Sequence, residues 1–199
     1  MRQVPKFFNT AGPIQSDIHY NVNPLHRINL DELEQLILQR KYFILHAPRQ
    51  TGKTSCLLAL RDYLNEQGDY IAVYANVEAG QAARNDVLRV VTATTSAIAD
   101  RLSLVLKDRM PQELFQEMKH KENADSLLTA YLREICGILP KPLVLFIDEI
   151  DALVGDSLVS VLRQIRAGYD QRPQYFPSPS CFVGFVTYVT IALFFPIRT

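Results

Sequence analysis

The letters APRQTGKT at residues 47–54 constrain this chain more than any other stretch. They fit the pattern G-x-x-x-x-G-K-[ST], with Ala47 in place of the first glycine. An apolar run over residues 41–46 precedes the pattern, and leucines at helical spacing follow it over residues 55–65. Strand, loop and helix in this order are the setting in which the pattern binds phosphate. A chance match in an ordinary strand-to-helix turn is the alternative.

The chemistry of such a loop follows from its backbone. Its N–H groups and the positive end of the helix dipole converge on one point, where a polyphosphate fits. We expect Lys53 to reach the β and γ phosphates and the Thr54 hydroxyl to bind Mg²⁺, while Gly52 lets the backbone approach without a Cβ. The predicted nucleotide-binding residues are Ala47, Pro48, Arg49, Gln50, Thr51, Gly52, Lys53, Thr54 and Ser55.

A second informative stretch, LVLFIDEID, occupies residues 143–151. A run of apolar residues that ends in carboxylates is typical of a central parallel strand whose carboxyl end faces a ligand site. We expect Asp148 to hold the Mg²⁺ coordination shell and Glu149 to orient and polarise an attacking water. Many buried strands end in an acid, so the stretch indicates a nucleotide site only together with the phosphate loop. Asp151 is more simply explained as a loop cap or a solvated acid.

Composition is that of a single soluble domain. The 199 residues are 48% hydrophobic, which is enough for a core, and 21 basic residues balance 21 acidic ones. Charge therefore does not indicate a nucleic acid or membrane partner. Cys56, Cys136 and Cys181 lack a C-x-x-C spacing and are expected to be buried and reduced. The first ten residues hold no apolar segment of signal-peptide length, so we expect a cytoplasmic protein.

Capping and turn residues predict the order of the elements. Asn29, with Glu32 as its capping-box partner, begins a helix that runs to about Arg40. Gly68 is predicted to end the phosphate-loop helix. A later helix is predicted to begin at a cap, Asp156, and to end at Gly168. Arg163 and Arg166 of that helix are either ordinary surface residues or contacts for a partner or a phosphate. The remaining expectations are a strand over 70–75, a long helix over 81–106, and helices over 111–120 and 125–136, the last ended by Gly137.

Together, APRQTGKT and LVLFIDEID resemble the Walker A and Walker B motifs of AAA-like P-loop ATPases of the ASCE division. The DEID letters are similar to those of STAND and origin-recognition type ATPases, and Pro24 to Arg27 resembles the linker that these groups place over the adenine. The arm at residues 7–14 resembles that of uncharacterised bacterial ATP-binding proteins. The resemblance implies Lys53 and Glu149 as catalytic residues, Thr54 and Asp148 as metal ligands, and ATP and Mg²⁺ as ligands. Arg27 and Tyr20 match the linker only loosely.

The fold implied is a three-layer P-loop NTPase, α/β, with helices flanking a parallel sheet of five strands in the order 5-1-4-3-2. We expect an irregular arm at 1–28, the ATPase core at 29–176, and an aberrant hydrophobic tail at 177–199 that leaves the sheet incomplete. One back-translation of residues 185–192 reads R-D-V-R-D-Y-R in the neighbouring frame. A frameshift near Pro177, and with it a truncated ATPase, would explain the tail.

Three functions are compatible with these residues. The first is an ATPase whose hydrolysis cycle drives or switches an unknown protein partner, either as a monomer or in an oligomer. The second is a nucleotide-binding switch with negligible hydrolysis, and the third is a DNA-associated ATPase, which the balanced charge does not favour. A small-molecule kinase would need a lid and an acceptor pocket, and no sequence feature marks either of them.

Overall fold

The computed structural model describes residues 5–9, 15, 17–20, 22–45, 51–178 and 180–183, the last four by their backbone. Four parallel strands form one sheet in the order β1-β4-β3-β2. They are β1 (Phe43–Leu45), β2 (Ile71–Asn76), β3 (Leu143–Asp148) and β4 (Ser180–Val183). Six helices accompany them: α1 (Leu30–Leu38), α2 (Lys53–Gln67), α3 (Val87–Leu106), α4 (Met110–Lys121), α5 (Leu127–Ile138) and α6 (Gly155–Ala167).

Alternating side chains on the two central strands build a separate core on each face of the sheet, as the period of two in a strand requires. On one face, Ala72 and Tyr74 of β2 and Phe146 of β3 pack with apolar residues of α1 and α2. On the other, Val73 and Leu145 pack with residues of the remaining helices. Helices therefore cover both faces of a parallel sheet, which confirms the predicted three-layer α/β fold.

The predicted caps at three helix ends are confirmed. Asn29 accepts a hydrogen bond from the Glu32 N–H and begins α1. Gly68 follows α2 with φ 84°, a left-handed conformation that glycine adopts without strain, and Gly168 follows α6. Cys56 and Cys136 are buried and form no disulfide bond, as expected.

Other boundaries were wrong. Gly137 lies inside α5 rather than ending it, and α6 begins at Gly155, so Asp156 is in its first turn and not at its cap. The long helix starts only at Val87, because a 3₁₀ segment, Glu78–Ala83, precedes it. These differences arise where a helix end depends on packing as well as on local residue preference.

The core does not end at residue 176. Ser180–Val183 lies between β1 and β3 and pairs with both, so that four residues of the predicted tail belong to the sheet. Without this strand the facing edges of β1 and β3 would have unpaired backbone groups. The frameshift near Pro177 stays a prediction. Residues 184–199 lie outside the described part of the chain.

The helices of the described residues are all too short or too polar to cross a membrane. The longest, α3, spans Val87–Leu106 and buries one side against the sheet and neighbouring helices.

Candidate functional site

The first component of the site is the junction where β1 leads through the loop into α2. Gly52 precedes the first turn of α2 with φ 85°, a conformation that side chains with a Cβ rarely adopt. Lys53 and Thr54 are the first two residues of α2, at the end of the helix whose dipole favours an anion. Of the predicted loop, residues 47–50 lie outside the described part of the chain, and Ser55 lies in the first turn of α2.

The second component is Asp148, the last residue of β3. Its side chain is only 2% exposed. The Thr54 hydroxyl donates a hydrogen bond of 2.8 Å to Oδ2 of Asp148. The structure thus brings together the two predicted metal ligands, one from the phosphate loop and one from the acidic strand.

Tyr74 of β2 is a third member of this group, and the sequence did not indicate it. Its hydroxyl donates to the same oxygen, Oδ2 of Asp148, at 2.8 Å. Burial and the Asp148 charge raise the pKa of Tyr74 well above its ordinary value, so the phenol stays protonated and remains a donor. Strand register explains why Tyr74 was missed, since only the pairing of β2 with β3 brings the two side chains together.

Glu149 follows Asp148 in a left-handed backbone conformation, with φ 57° and ψ 35°. A residue with a Cβ is uncommon there, and such conformations concentrate at functional sites. Its own N–H donates to Oδ1 of Asp148 at 3.0 Å. The Asp148 carboxylate is therefore tied to the backbone of the neighbouring Glu149.

The surroundings of Glu149 favour its neutral form. Burial raises its pKa above the ordinary value, and the charges of Asp148, Asp151 and Glu78 raise it further, whereas Lys53 lowers it. The charges of Lys53 and of Asp148 at the end of β3 therefore both influence the pKa of the Glu149 carboxyl, in opposite directions. A carboxyl whose pKa is raised toward neutrality is suited to accept a proton from water.

Arg27 connects the segment before α1 to the phosphate loop. It ends a 3₁₀ turn, Pro24–Arg27, and its Nη2 donates to the Thr51 carbonyl oxygen at 2.8 Å. A Cβ built on Gly52 would lie 2.7 Å from Nη1 of Arg27. The sequence resemblance matched Arg27 only loosely, to the linker that lies over the adenine. Tyr20, the other loosely matched residue, packs its ring on Phe8 with centroids 5.0 Å apart.

The oxygen donors at this junction suit Mg²⁺, which takes part of its coordination shell from phosphate and water. They suit less well a metal whose ligands all come from protein side chains. Within the described residues, no group of three or more His, Cys, Asp or Glu side chains could hold a metal ion. Mg²⁺ in nucleotide sites is bound by one or two protein oxygens, by phosphate oxygens and by water. One hydroxyl, from Thr54, and one carboxylate, from Asp148, supply that kind of partial oxygen shell.

A family model described as "AAA-like domain" matches residues 12–174. The chain belongs to this family of AAA-like domains. Two solved structures share the fold: Drosophila ORC bound to poly(dA/dT) DNA and Cdc6 (conformation 1), and Drosophila ORC bound to GC-rich DNA and Cdc6. In each comparison the sequence identity is 12% and the TM-score 0.53, and the match covers 86% of this chain but only 26% of the other. No curated protein sequence matches this one.

Membership in the AAA-like family agrees with the strand order. The sequence resemblance implied 5-1-4-3-2, and the four observed strands have the order 1-4-3-2. The AAA-like chain thus places β4 between the strand that leads into the phosphate loop and the strand that carries Asp148. The sequence missed three neighbours of the site: Tyr74, Glu78 and the contact of Arg27 with the loop. No local motif marks any of them.

Proposed function

We propose that this AAA-like domain binds ATP with Mg²⁺ and hydrolyses it to ADP and phosphate. The observation that carries the proposal is the hydrogen bond of 2.8 Å between Thr54 and Asp148. It unites the end of the loop motif with the end of the acidic strand, as a site for a metal-bound polyphosphate requires. Either motif alone would be weaker support.

Each residue has a separate role in this proposal. The N–H groups of the loop and of the first turn of α2 bind the phosphate oxygens, and Lys53 neutralises charge on the β and γ phosphates. Thr54 and Asp148 would hold Mg²⁺, which when bound neutralises the negative charge that develops on the phosphates. Glu149 orients the attacking water and accepts its proton, for which its raised pKa is suited. Adenine as the base rests on the family resemblance.

In our proposal, the cycle of ATP binding and hydrolysis acts on a protein partner or on a second copy of the chain. The two solved relatives in fold are ORC structures that contain DNA and Cdc6. DNA as a ligand of this chain has weaker support, because 21 basic residues are balanced by 21 acidic ones. Stimulation of turnover by DNA that declines with added salt would favour the DNA-associated alternative.

Steady-state turnover and equilibrium binding of ATP, measured on the same preparations, test the proposal. We expect wild type to bind and hydrolyse Mg²⁺·ATP. Glu149→Gln should lower turnover at least about 100-fold, since a positioned general base contributes typically 10²–10⁴-fold, and should leave ATP affinity within about twofold. Glu134→Gln, on the exposed side of α5, is the matched control and should behave as wild type.

Two outcomes would contradict hydrolysis by this domain. Tight Mg²⁺·ATP binding without turnover in wild type would support the nucleotide-binding switch instead. Turnover that survives Glu149→Gln unchanged would show that the activity does not use this carboxylate.

A further inference from the structure

The position of Tyr74 follows from strand register. In the parallel pairing of β2 with β3, Tyr74 lies opposite Phe146. Asp148 is two residues beyond Phe146, so its side chain is on the same face as that of Tyr74, at a diagonal position. A tyrosine is long enough to span this diagonal. The phenol therefore reaches Asp148 Oδ2 without any distortion of the sheet, at 2.8 Å.

The hydrogen bonds of Asp148 leave little freedom to its carboxylate. An ionised carboxylate has about four acceptor sites on its two oxygens. Among the described residues, Oδ2 accepts from Thr54 and Tyr74, and Oδ1 accepts from the Glu149 N–H. Donors from the described residues thus occupy two acceptor sites on Oδ2 and one on Oδ1. With Tyr74 removed, Oδ2 would lose one of two donors, and rotation of the carboxylate would become easier.

A structural role alone does not explain a tyrosine at this position. Tyr74 is 8% exposed and its ring packs in the core between the sheet and α2. Phenylalanine would fill nearly the same volume and has no hydroxyl. A hydroxyl in an apolar region costs free energy unless it is hydrogen-bonded. The hydroxyl has a partner here because it meets the acid of the proposed metal site.

We infer that Tyr74 is a positioning residue for magnesium-bound nucleotide, because it fixes the orientation of the Asp148 carboxylate. This inference rests on the proposed function. Groups that hydrogen-bond a metal ligand from outside the coordination shell typically contribute 10–100-fold to metal affinity. Tyr74 thus belongs to the proposed site through its contact with Asp148.

The test is binding of a non-hydrolysable ATP analogue with and without Mg²⁺, which needs no turnover. For Tyr74→Phe we expect the gain in affinity that Mg²⁺ provides to fall about tenfold, while the affinity without Mg²⁺ stays within twofold of wild type. Tyr131→Phe is the matched control. Tyr131 is also buried, and its hydroxyl donates at 3.2 Å to a backbone carbonyl, that of Pro111, outside the site. Its Mg²⁺-dependent gain should equal that of wild type.

The outcomes distinguish this inference from the proposed function. If wild type binds no nucleotide, the proposed function and the inference both fail. If wild type shows a Mg²⁺-dependent gain and Tyr74→Phe retains it, only the inference fails. If Tyr74 has only a structural role, Tyr74→Phe should lower the affinity for the analogue by the same factor with and without Mg²⁺. This result would also overturn the inference.

A second measurement applies if Tyr74→Phe does not unfold cooperatively. Wild type labelled with ¹³Cζ-tyrosine has nine tyrosine resonances. The resonance that Asp148→Asn shifts most identifies Tyr74. We expect this resonance to move when Mg²⁺ is added to the analogue complex, more than it does when the analogue alone is added. A resonance that does not respond to Mg²⁺ would contradict the inference.

Discussion

Thr54 and Asp148 are 94 residues apart in the chain and are joined by a hydrogen bond of 2.8 Å. One side chain lies in the first turn of α2 and the other at the end of β3. Two strands that are not neighbours carry these elements, because β4 lies between β1 and β3. The contact therefore depends on how β1, β4 and β3 lie side by side in the sheet.

A side chain at Gly52 would strain the backbone and displace the guanidinium of Arg27. The φ of 85° at this glycine costs an L-residue about 1–2 kcal/mol, and a Cβ would lie 2.7 Å from Nη1 of Arg27. We expect Gly52→Ala to lower the free energy of unfolding by about that amount or more, and to weaken ATP binding. Urea unfolding and a binding titration measure the two effects.

Gly68→Ala is the control for the Gly52 prediction. Gly68 has nearly the same φ, 84°, but a Cβ there would meet only the end of Lys141, at 3.8 Å. The backbone cost should be similar, about 1–2 kcal/mol, with ATP affinity unchanged. Equal loss of ATP affinity in both variants would show that general destabilisation, and not the loop, explains the Gly52 result.

Arg27 should contribute to nucleotide affinity through the loop backbone. Loss of its hydrogen bond to the Thr51 carbonyl in Arg27→Ala removes about 1 kcal/mol, which predicts ATP binding weaker by roughly fivefold. Arg61→Ala, which removes a surface arginine whose partner is the adjacent Asp62, is the control. ATP affinity in Arg27→Ala equal to that of the control would contradict a role for Arg27.

Ionised Glu149 should destabilise the nucleotide-free protein. Its pKa is raised on folding, so its contribution to stability is present below the pKa of the unfolded chain and is lost as pH rises through the folded value. Glu149→Gln should therefore raise Tm at pH 7 by roughly 1–3 °C, since a partly exposed charge contributes up to about 1 kcal/mol. At pH 4 the two proteins should have nearly equal Tm. A Tm difference independent of pH would contradict the assignment.

The pH dependence of turnover should depend on Glu78. Protonation of Glu149 would remove the proposed base, so turnover should fall at acid pH, with a midpoint above the ordinary glutamate pKa. Glu78→Gln removes a charge that raises this pKa, so we expect the midpoint to move to lower pH. Glu117→Gln, on α4 and paired with Lys121, should leave the midpoint in place.

Local sequence was sufficient for most of the elements and for the position of Asp148 at the end of a strand. Asn29 and Gly68 are caps whose chemistry depends only on nearby residues. Asp148 was predictable because an apolar run that ends in an acid marks the end of a buried strand. Gly137 was misjudged because packing of α5 outweighs the local tendency of glycine to end a helix.

The network around Asp148 could not be predicted from one sequence. The contact of Tyr74 depends on the register between two strands separated by three helices, and no pattern in either strand specifies that register. The contact of Arg27 with Thr51 depends on how the segment before α1 folds back over α2. The place of β4 in the sheet likewise depends on the gap that β1 and β3 leave between them.

The most direct test of a magnesium-dependent nucleotide site is an ATP titration with and without Mg²⁺ on wild type, Lys53→Ala and the control Lys119→Ala, whose lysine lies exposed on α4. We expect wild type and the control to bind ATP, and to bind it more tightly with Mg²⁺. Lys53→Ala should bind at least about tenfold more weakly, because it loses a charge-assisted contact of about 1.5–3 kcal/mol. Wild type that binds no ATP, or Lys53→Ala that binds it as wild type does, would contradict a nucleotide site at this junction.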